Sequence, residues 1–181
     1  MDLSSLFGSA ATEASSSLID YLGIFFVVLG AALSAMLPGI GSAKGTGLVG
    51  QAAAGVVAED PSKFGKVLIL QVLPGTQGLY GFLTAILLLS NTGILSGSAA
   101  DITWYQGLAY FAACLPMIVV GLFSALYQAK TAAAGVGLVA KNPEQSGKAI
   151  IFAAMVETYA VLALLVSLLA IMSLKKVFVG A

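Results

Sequence analysis

The sequence predicts an all-α membrane protein of four transmembrane helices, built as a duplicated helical hairpin. Three observations carry this reading. The 181-residue chain is 59% hydrophobic and only 9% charged, proportions outside those of soluble globular domains. Four apolar stretches, at about 18–58, 64–90, 103–140 and 147–174, are each long enough to cross a hydrocarbon core of about 30 Å. The two halves of the chain also repeat one another.

Each stretch is expected to be a helix, because a backbone facing lipid has to satisfy its own hydrogen bonds. Glycine and proline inside the stretches do not count against this, since membrane helices tolerate both. The chain opens Met1-Asp2-Leu3 and carries Glu13 and Asp20, the wrong charge for the n-region of a secretory leader. Residues 1–17 are therefore read as a retained N-terminal segment. Residues 18–102 form the first hairpin and 103–181 the second.

The repeat is visible in the connections. Glu59, Asp60, Pro61 and Lys63 resemble Lys141, Asn142, Pro143 and Glu144, and an Ala-Ala-Ala-Gly-Val run precedes each group, at 52–56 and 132–136. Pro61, Gly65, Lys66, Ile69 and Thr76 then recur under one constant offset as Pro143, Gly147, Lys148, Ile151 and Thr158. In that register Gly75 is the counterpart of Glu157, so one hairpin carries a carboxylate at membrane depth and the other does not.

Eight lysines balance eight acids, with no arginine or histidine. No basic surface is available for a nucleic acid backbone. Imidazole chemistry is absent, which removes the Ser-His-Asp triad, the Cys-His pair and histidine-ligated zinc. Cys114 is the only cysteine and, lying in an apolar run, reads as a buried filler. Lys63, Lys66, Lys141 and Lys148 cluster in the first and third connections, whereas the connection at 91–102 has Asp101 and no basic residue. The positive-inside rule puts the lysine-bearing connections in the cytoplasm and both termini outside, against the pull of Lys175 and Lys176. Trp104 and Tyr105 read as anchors at the opposite interface. Lys44 and Lys130 are expected to reach toward the cytoplasmic boundary and not toward Glu157.

Small residues recur at steps of four on the first helix (Ala31, Ala35, Gly39, Ala43, Gly47) and on the third (Gly121, Ala125, Ala129, Ala133, Gly137). Such stripes allow close backbone approach. Internal packing of one bundle and an inner circle within an oligomer account for them equally well. The run Gly45-Thr46-Gly47-Leu48-Val49-Gly50 fits a dinucleotide fingerprint, but it lies inside a membrane-length apolar segment with no strand before it.

Glu157 lies about 15 Å along a helix that begins near Gly147, close to the bilayer middle. An intramembrane acid is a functional-site hypothesis by default, because a central charge costs about 2.5 to 3.5 kcal/mol on insertion scales. On the second helix Leu73, Thr76, Gln77 and Tyr80 fall at i, i+3, i+4 and i+7 and share one face. Pro74 has no N–H, so nearby carbonyls are free to tilt away from the axis. Gln128 adds an amide from the third helix. Oxygen donors with a single carboxylate suit a hard monovalent cation, whose charge one carboxylate cancels. Taken alone, either glutamine is equally well read as interhelical hydrogen bonding. Tyr80 is expected to donate its hydroxyl to Glu157, and Tyr159 to pack.

These residues resemble a known family, the proteolipid ring subunits of V-type and A-type ATPases. The likeness rests on residues 73–82 (Leu-Pro-Gly-Thr-Gln-Gly-Leu-Tyr-Gly-Phe), on Gln128-Ala129-Lys130, and on residues 151–160 around Glu157. It runs from about residue 18 to 174 and is closest to the bacterial sodium-transporting type. The resemblance implies a membrane rotor ring of identical subunits in contact with lipid. It also implies a stator subunit that supplies an arginine, central-stalk subunits, and an ATP-hydrolysing head elsewhere in the complex, this chain being non-catalytic. By position it makes the Leu73 carbonyl, Thr76 hydroxyl, Gln77 amide, Gln128 amide and Glu157 carboxylate the Na+ ligands, with Tyr80 supporting the carboxylate and H+ competing for the site. A bacterial cell membrane is the implied location. The alternatives are a proton-carrying version of the same ring, a stand-alone Na+- or H+-coupled four-helix carrier, and a tetraspan scaffold, which leaves Glu157 and its glutamines without a purpose.

Overall fold

The computed structural model describes the backbone of residues 3–97 and 102–179, and side chains of residues 21–97 and 102–178. The described residues form helices and connecting turns. α1 spans Leu3–Glu59, α2 Phe64–Val72, α3 Thr76–Asn91, α4 Trp104–Lys141 and α5 Ser146–Val179, with 3-10 turns at Pro61–Lys63, Leu73–Gly75 and Pro143–Gln145. Four segments are long and apolar enough to cross a membrane: Tyr21–Glu59, Pro61–Asn91, Trp104–Lys141 and Pro143–Phe178. The second span is thus α2 and α3 joined through the Leu73–Gly75 turn, where Pro74 cannot donate to the helical ladder. The stretch before residue 18 continues α1 as helix.

The two halves share local geometry as well as sequence. α1 and α4 each stop just before a proline that opens a 3-10 turn, Pro61 or Pro143, and a new span leaves that turn. In the first turn Asp60 accepts from the Ser62 backbone N–H at 3.0 Å and from its hydroxyl at 2.6 Å. Those bonds hold the Asp60 carboxyl below its ordinary value. Because they favour the charged form, their support is present at neutral pH and fades as pH falls through the carboxylate range. Lys63 lies 3.4 Å from Asp60 and donates to the Ala140 carbonyl at 2.9 Å, one of the carbonyls that α4 leaves without a helical partner. This bond ties the first connection to the end of the third span.

α1 and α4 meet through glycine. A Cβ on Gly107 would collide with the backbone of Gly23, and a Cβ on Gly81 of α3 with the Ser34 carbonyl of α1. Pro38, inside α1, is seated between Gly81 and Gly121. The four-residue stripes only partly coincide with this seam. Ala31, Gly121, Ala125 and Ala129 are buried, whereas Ala43, Gly47 and Gly137 are exposed. A step of four advances about 40° beyond a full turn, so such a stripe winds off the contact face. The Gly45-to-Gly50 motif is helical, with Gly45 pressed against Pro74, Ala125 and Ala129.

Two apolar clusters divide the interior. One holds Val27, Leu88, Tyr110, Cys114, Ile118 and Ile171, and the other Val49, Leu70, Ala132, Val136, Ala149 and Ala153. Between them along the helices lie the buried polar residues Ser42, Gln77, Ser124 and Gln128. The outer faces of α3 and α5 are apolar instead, with Leu79 68% and Leu169 64% exposed. Trp104 and Tyr105 are exposed at the start of α4, their rings edge to face.

Adding a methyl at Gly81 forces backbone away from backbone, and overpacking of this kind costs about 1 to 3 kcal/mol. Gly81→Ala is therefore expected to lower the thermal unfolding midpoint of the detergent-solubilised protein. Gly147→Ala, where nothing lies within 4 Å, is expected to leave it unchanged or raise it. Equal midpoints for Gly81→Ala and wild type would show that the α1–α3 approach is looser than described.

Candidate ion-binding site

α3 sends Gln77 and Tyr80 into the layer between the two clusters, α4 sends Ser124 and Gln128, α5 sends Glu157, and these side chains meet. Tyr80 donates its hydroxyl to Glu157 Oε1 at 2.7 Å. Gln128 donates from Nε2 to Glu157 Oε2 at 3.2 Å and to the Ala153 carbonyl at 3.2 Å. Gln77 donates from Nε2 to Gln128 Oε1 and, at 3.3 Å, to Ser124 Oγ. Four of the residues singled out from the sequence, Gln77, Tyr80, Gln128 and Glu157, thus form one continuous chain of hydrogen bonds.

The kink supplies the rest of the local geometry. The Leu73 carbonyl accepts the Thr76 backbone N–H, closing the 3-10 turn, and also the Thr76 hydroxyl at 3.0 Å. Thr76 stands one residue before Gln77 and one turn before Tyr80 on the same face. The structure therefore pairs Leu73 with Thr76 directly and joins both to the glutamine chain through the backbone of α3. Ser42 of α1 accepts the Gly78 backbone N–H at 2.8 Å, which holds α3 against α1 just past the kink.

Gln77 and Gln128 are fully buried, yet Gln77 Oε1 has no hydrogen-bond partner. An unsatisfied buried acceptor costs about 1 to 3 kcal/mol, and in a native site it calls for an explanation. The Gln128 carbonyl and both Glu157 oxygens retain lone pairs beyond the bonds described. The donor set is oxygen throughout with one formal negative charge. It suits one small monovalent cation and would leave a divalent ion undercompensated.

Glu157 is not sealed from the outer face. With Ala154, Thr158, Val161 and Leu162 it lines an apolar surface groove of about 400 Å³ along α5. Tyr159, expected to pack, instead lies 66% exposed on the outward face, because the helix repeat carries it away from the Ala153–Ala160 seam. Lys44 and Lys130 are exposed, and the Lys130 ammonium sits 4.9 Å from the Tyr127 ring centroid, a cation–π contact.

Sequence reading misses Ser124 and Ser42. Ser124 lies one turn before Gln128 on the same face of α4, a signal that is present but not specific, since serine is common between membrane helices.

The chain matches the ATP synthase C-subunit family twice, over residues 29–88 and 111–170. Each match covers one hairpin, and the two place Ser42 and Ser124 in register. The V-type sodium ATPase subunit K of Enterococcus hirae is 48% identical over 161 residues, which cover 86% of this chain and 99% of that relative. The A-type ATP synthase subunit K of Methanocaldococcus jannaschii is 43% identical over 153 residues, covering 84% of this chain and 64% of that relative.

Tyr80→Phe removes one of two hydrogen bonds to a carboxylate, each worth about 1.5 to 3 kcal/mol. With that bond lost, the Glu157 carboxyl is expected to turn into the groove more often. Its modification by a hydrophobic carbodiimide, followed by mass spectrometry, is expected to quicken roughly tenfold. An unchanged rate would show that Tyr80 does not hold the carboxyl in place.

Proposed function

The chain belongs to the ATP synthase C-subunit family as a V/A-type proteolipid, a membrane rotor-ring subunit, and from that premise we propose that Glu157 binds and releases a sodium ion as the ring turns. The observation that carries the proposal is the Glu157 carboxylate at membrane depth, hydrogen-bonded to buried Gln128, which in turn accepts from buried Gln77, whose own acceptor oxygen is free. The ligands we assign are the Leu73 carbonyl, the Thr76 hydroxyl, Gln77 Oε1, Gln128 Oε1 and the Glu157 carboxylate. The relative from Enterococcus hirae is named for the same ion.

The cycle follows from charge. A bound ion cancels the Glu157 charge, so the site can pass along the apolar bilayer without exposing a net charge to hydrocarbon. Where the ring meets its stator, a cationic side chain there, an arginine by family resemblance, pairs with the carboxylate and releases sodium. Tyr80 and Gln128 hold the carboxylate in position while it is charged, and the groove beside α5 gives it access to the outer face. A proton can replace the sodium, because either neutralises the same oxygen pair. This chain makes and breaks no covalent bond. ATP is handled by other subunits, and the central stalk links them to the ring. We place the lysine-bearing first and third connections in the cytoplasm of a bacterial cell and both termini outside, on the distribution of Lys63, Lys66, Lys141 and Lys148.

The principal test uses a complex whose ring carries Glu157→Gln, which keeps shape and hydrogen-bonding capacity but removes the charge. Ring assembly is expected to persist, while sodium-stimulated ATP hydrolysis and sodium transport fall to background. Near-normal coupled transport by that ring would remove Glu157 from its role. A proton-carrying ring would show the same loss without sodium stimulation in wild type. A stand-alone carrier would give no closed ring by native mass spectrometry.

Gln77→Ala and Gln128→Ala each delete one oxygen ligand from a buried site. Each is expected to weaken sodium binding by roughly tenfold or more, more than it lowers the unfolding midpoint. Sodium affinities equal to wild type in both variants would show that the amides serve only to join helices.

A further inference from the structure

The Ser124 hydroxyl touches three spans at once. It stands on α4, is 6% exposed, donates to the Val156 carbonyl of α5 at 3.1 Å, and accepts from Gln77 Nε2 of α3 at 3.3 Å. A serine hydroxyl has one proton. With that proton committed to Val156, the oxygen presents lone pairs to Gln77 and can only accept there. The Gln77 side-chain amide must therefore turn its NH2 group toward Ser124.

The consequence reaches the opposite end of the same amide. The two hydrogens of Gln77 Nε2 are both in use, on Ser124 Oγ and on Gln128 Oε1, and Oε1 is left buried and unpartnered. An amide rotated by half a turn would put its oxygen against the Ser124 and Gln128 oxygens and its NH2 group where a cation must bind. Sequence does not fix that orientation, because a glutamine side chain has nearly the same shape either way round. Resting on the sodium reading of Glu157, we propose that Ser124 is a positioning residue for ion binding, setting which end of the Gln77 amide faces the sodium site.

Its proton and one of its two lone pairs are already committed, to Val156 and Gln77, and we give it no place among the ligands. Its register partner in the first hairpin, Ser42, holds the next residue of α3 through the Gly78 N–H. A hydroxyl at the same place in each half therefore grips adjacent residues just past the kink. The two are not interchangeable, since Ser42 fixes backbone and Ser124 fixes the sense of a side-chain amide.

The test compares wild-type, Ser124→Ala and Ser124→Thr rings. Glu157 modification by a hydrophobic carbodiimide is followed against sodium chloride concentration at fixed pH, and also in sodium-free medium. For Ser124→Ala, the sodium concentration giving half protection is expected to rise about tenfold, the equivalent of one directional hydrogen bond. Its sodium-free labelling rate is expected to stay near wild type, because Tyr80 and Gln128 still hold the carboxylate. Ser124→Thr, which keeps the hydroxyl, is expected to restore most of the sodium affinity. If the alanine ring does not assemble, Ser124→Cys, a weaker donor and acceptor, replaces it with a rise expected in the same direction. Half protection at the wild-type concentration in the alanine or cysteine ring overturns the positioning role while leaving the sodium reading intact. So does a threonine ring as impaired as the alanine ring. Wild-type labelling indifferent to sodium overturns the sodium reading, and this inference with it.

Discussion

A carboxylate in the middle of a membrane is the constraint from which the rest of this structure follows. A charged residue at that depth carries a penalty of about 2.5 to 3.5 kcal/mol on insertion scales. Two hydrogen bonds to a charged group, at about 1.5 to 3 kcal/mol each, are enough to offset it. Glu157 has two such bonds, from Tyr80 and Gln128 on different spans. For both donors to reach it, three helices have to approach at one depth. Small residues allow it between α4 and α5, where Gly135 faces Ala149, while glycines of α3 and α4 seat both helices on α1. The polar layer then divides an otherwise apolar interior into two clusters, and every buried polar atom within it has to find a partner in the layer or in a bound ion.

The duplicated hairpin divides the labour. The first hairpin provides the kinked face of Leu73, Thr76, Gln77 and Tyr80, while the second provides Gln128 and Glu157. At the position equivalent to Glu157 the first hairpin has Gly75, within the turn where α2 gives way to α3. A second carboxylate there would bring a second penalty beside a broken helix. Four spans therefore share one carboxylate at this layer, and the hairpin without it supplies the facing side of the hydrogen-bonded chain.

Much of this is legible in the sequence, for identifiable reasons. Membrane spans announce themselves by composition and length, the duplication by prolines that recur at a fixed offset, and the carboxylate by its rarity in an apolar run. The i, i+3, i+4, i+7 pattern puts Thr76, Gln77 and Tyr80 on one face, and Tyr80 does donate to Glu157. What sequence does not reveal depends on three dimensions. Ser124 gains meaning only when Val156 and Gln77 arrive from two other helices. The bond from Lys63 to Ala140 joins residues far apart in the chain. The stripes of small residues look straight in sequence, but a step of four drifts around the helix, so Gly47 and Gly137 leave the seam that Ala31 and Gly121 join. Tyr159 reads as a packing residue, yet it stands two residues past Glu157, a turn of about 200° around the helix, and its side chain is exposed.

On the sodium reading proposed above, one ion and one proton contend for one carboxylate per chain. The most direct measurement is the amount of sodium bound to purified ring at equilibrium, determined together with proton release as pH is varied. Saturation is expected at one sodium per chain, with about one proton released for each sodium bound where the carboxyl begins protonated, and with loss of the bound sodium as pH falls. Sodium binding well below one per chain at saturating concentration, or binding that neither releases protons nor weakens with acid, would contradict that reading.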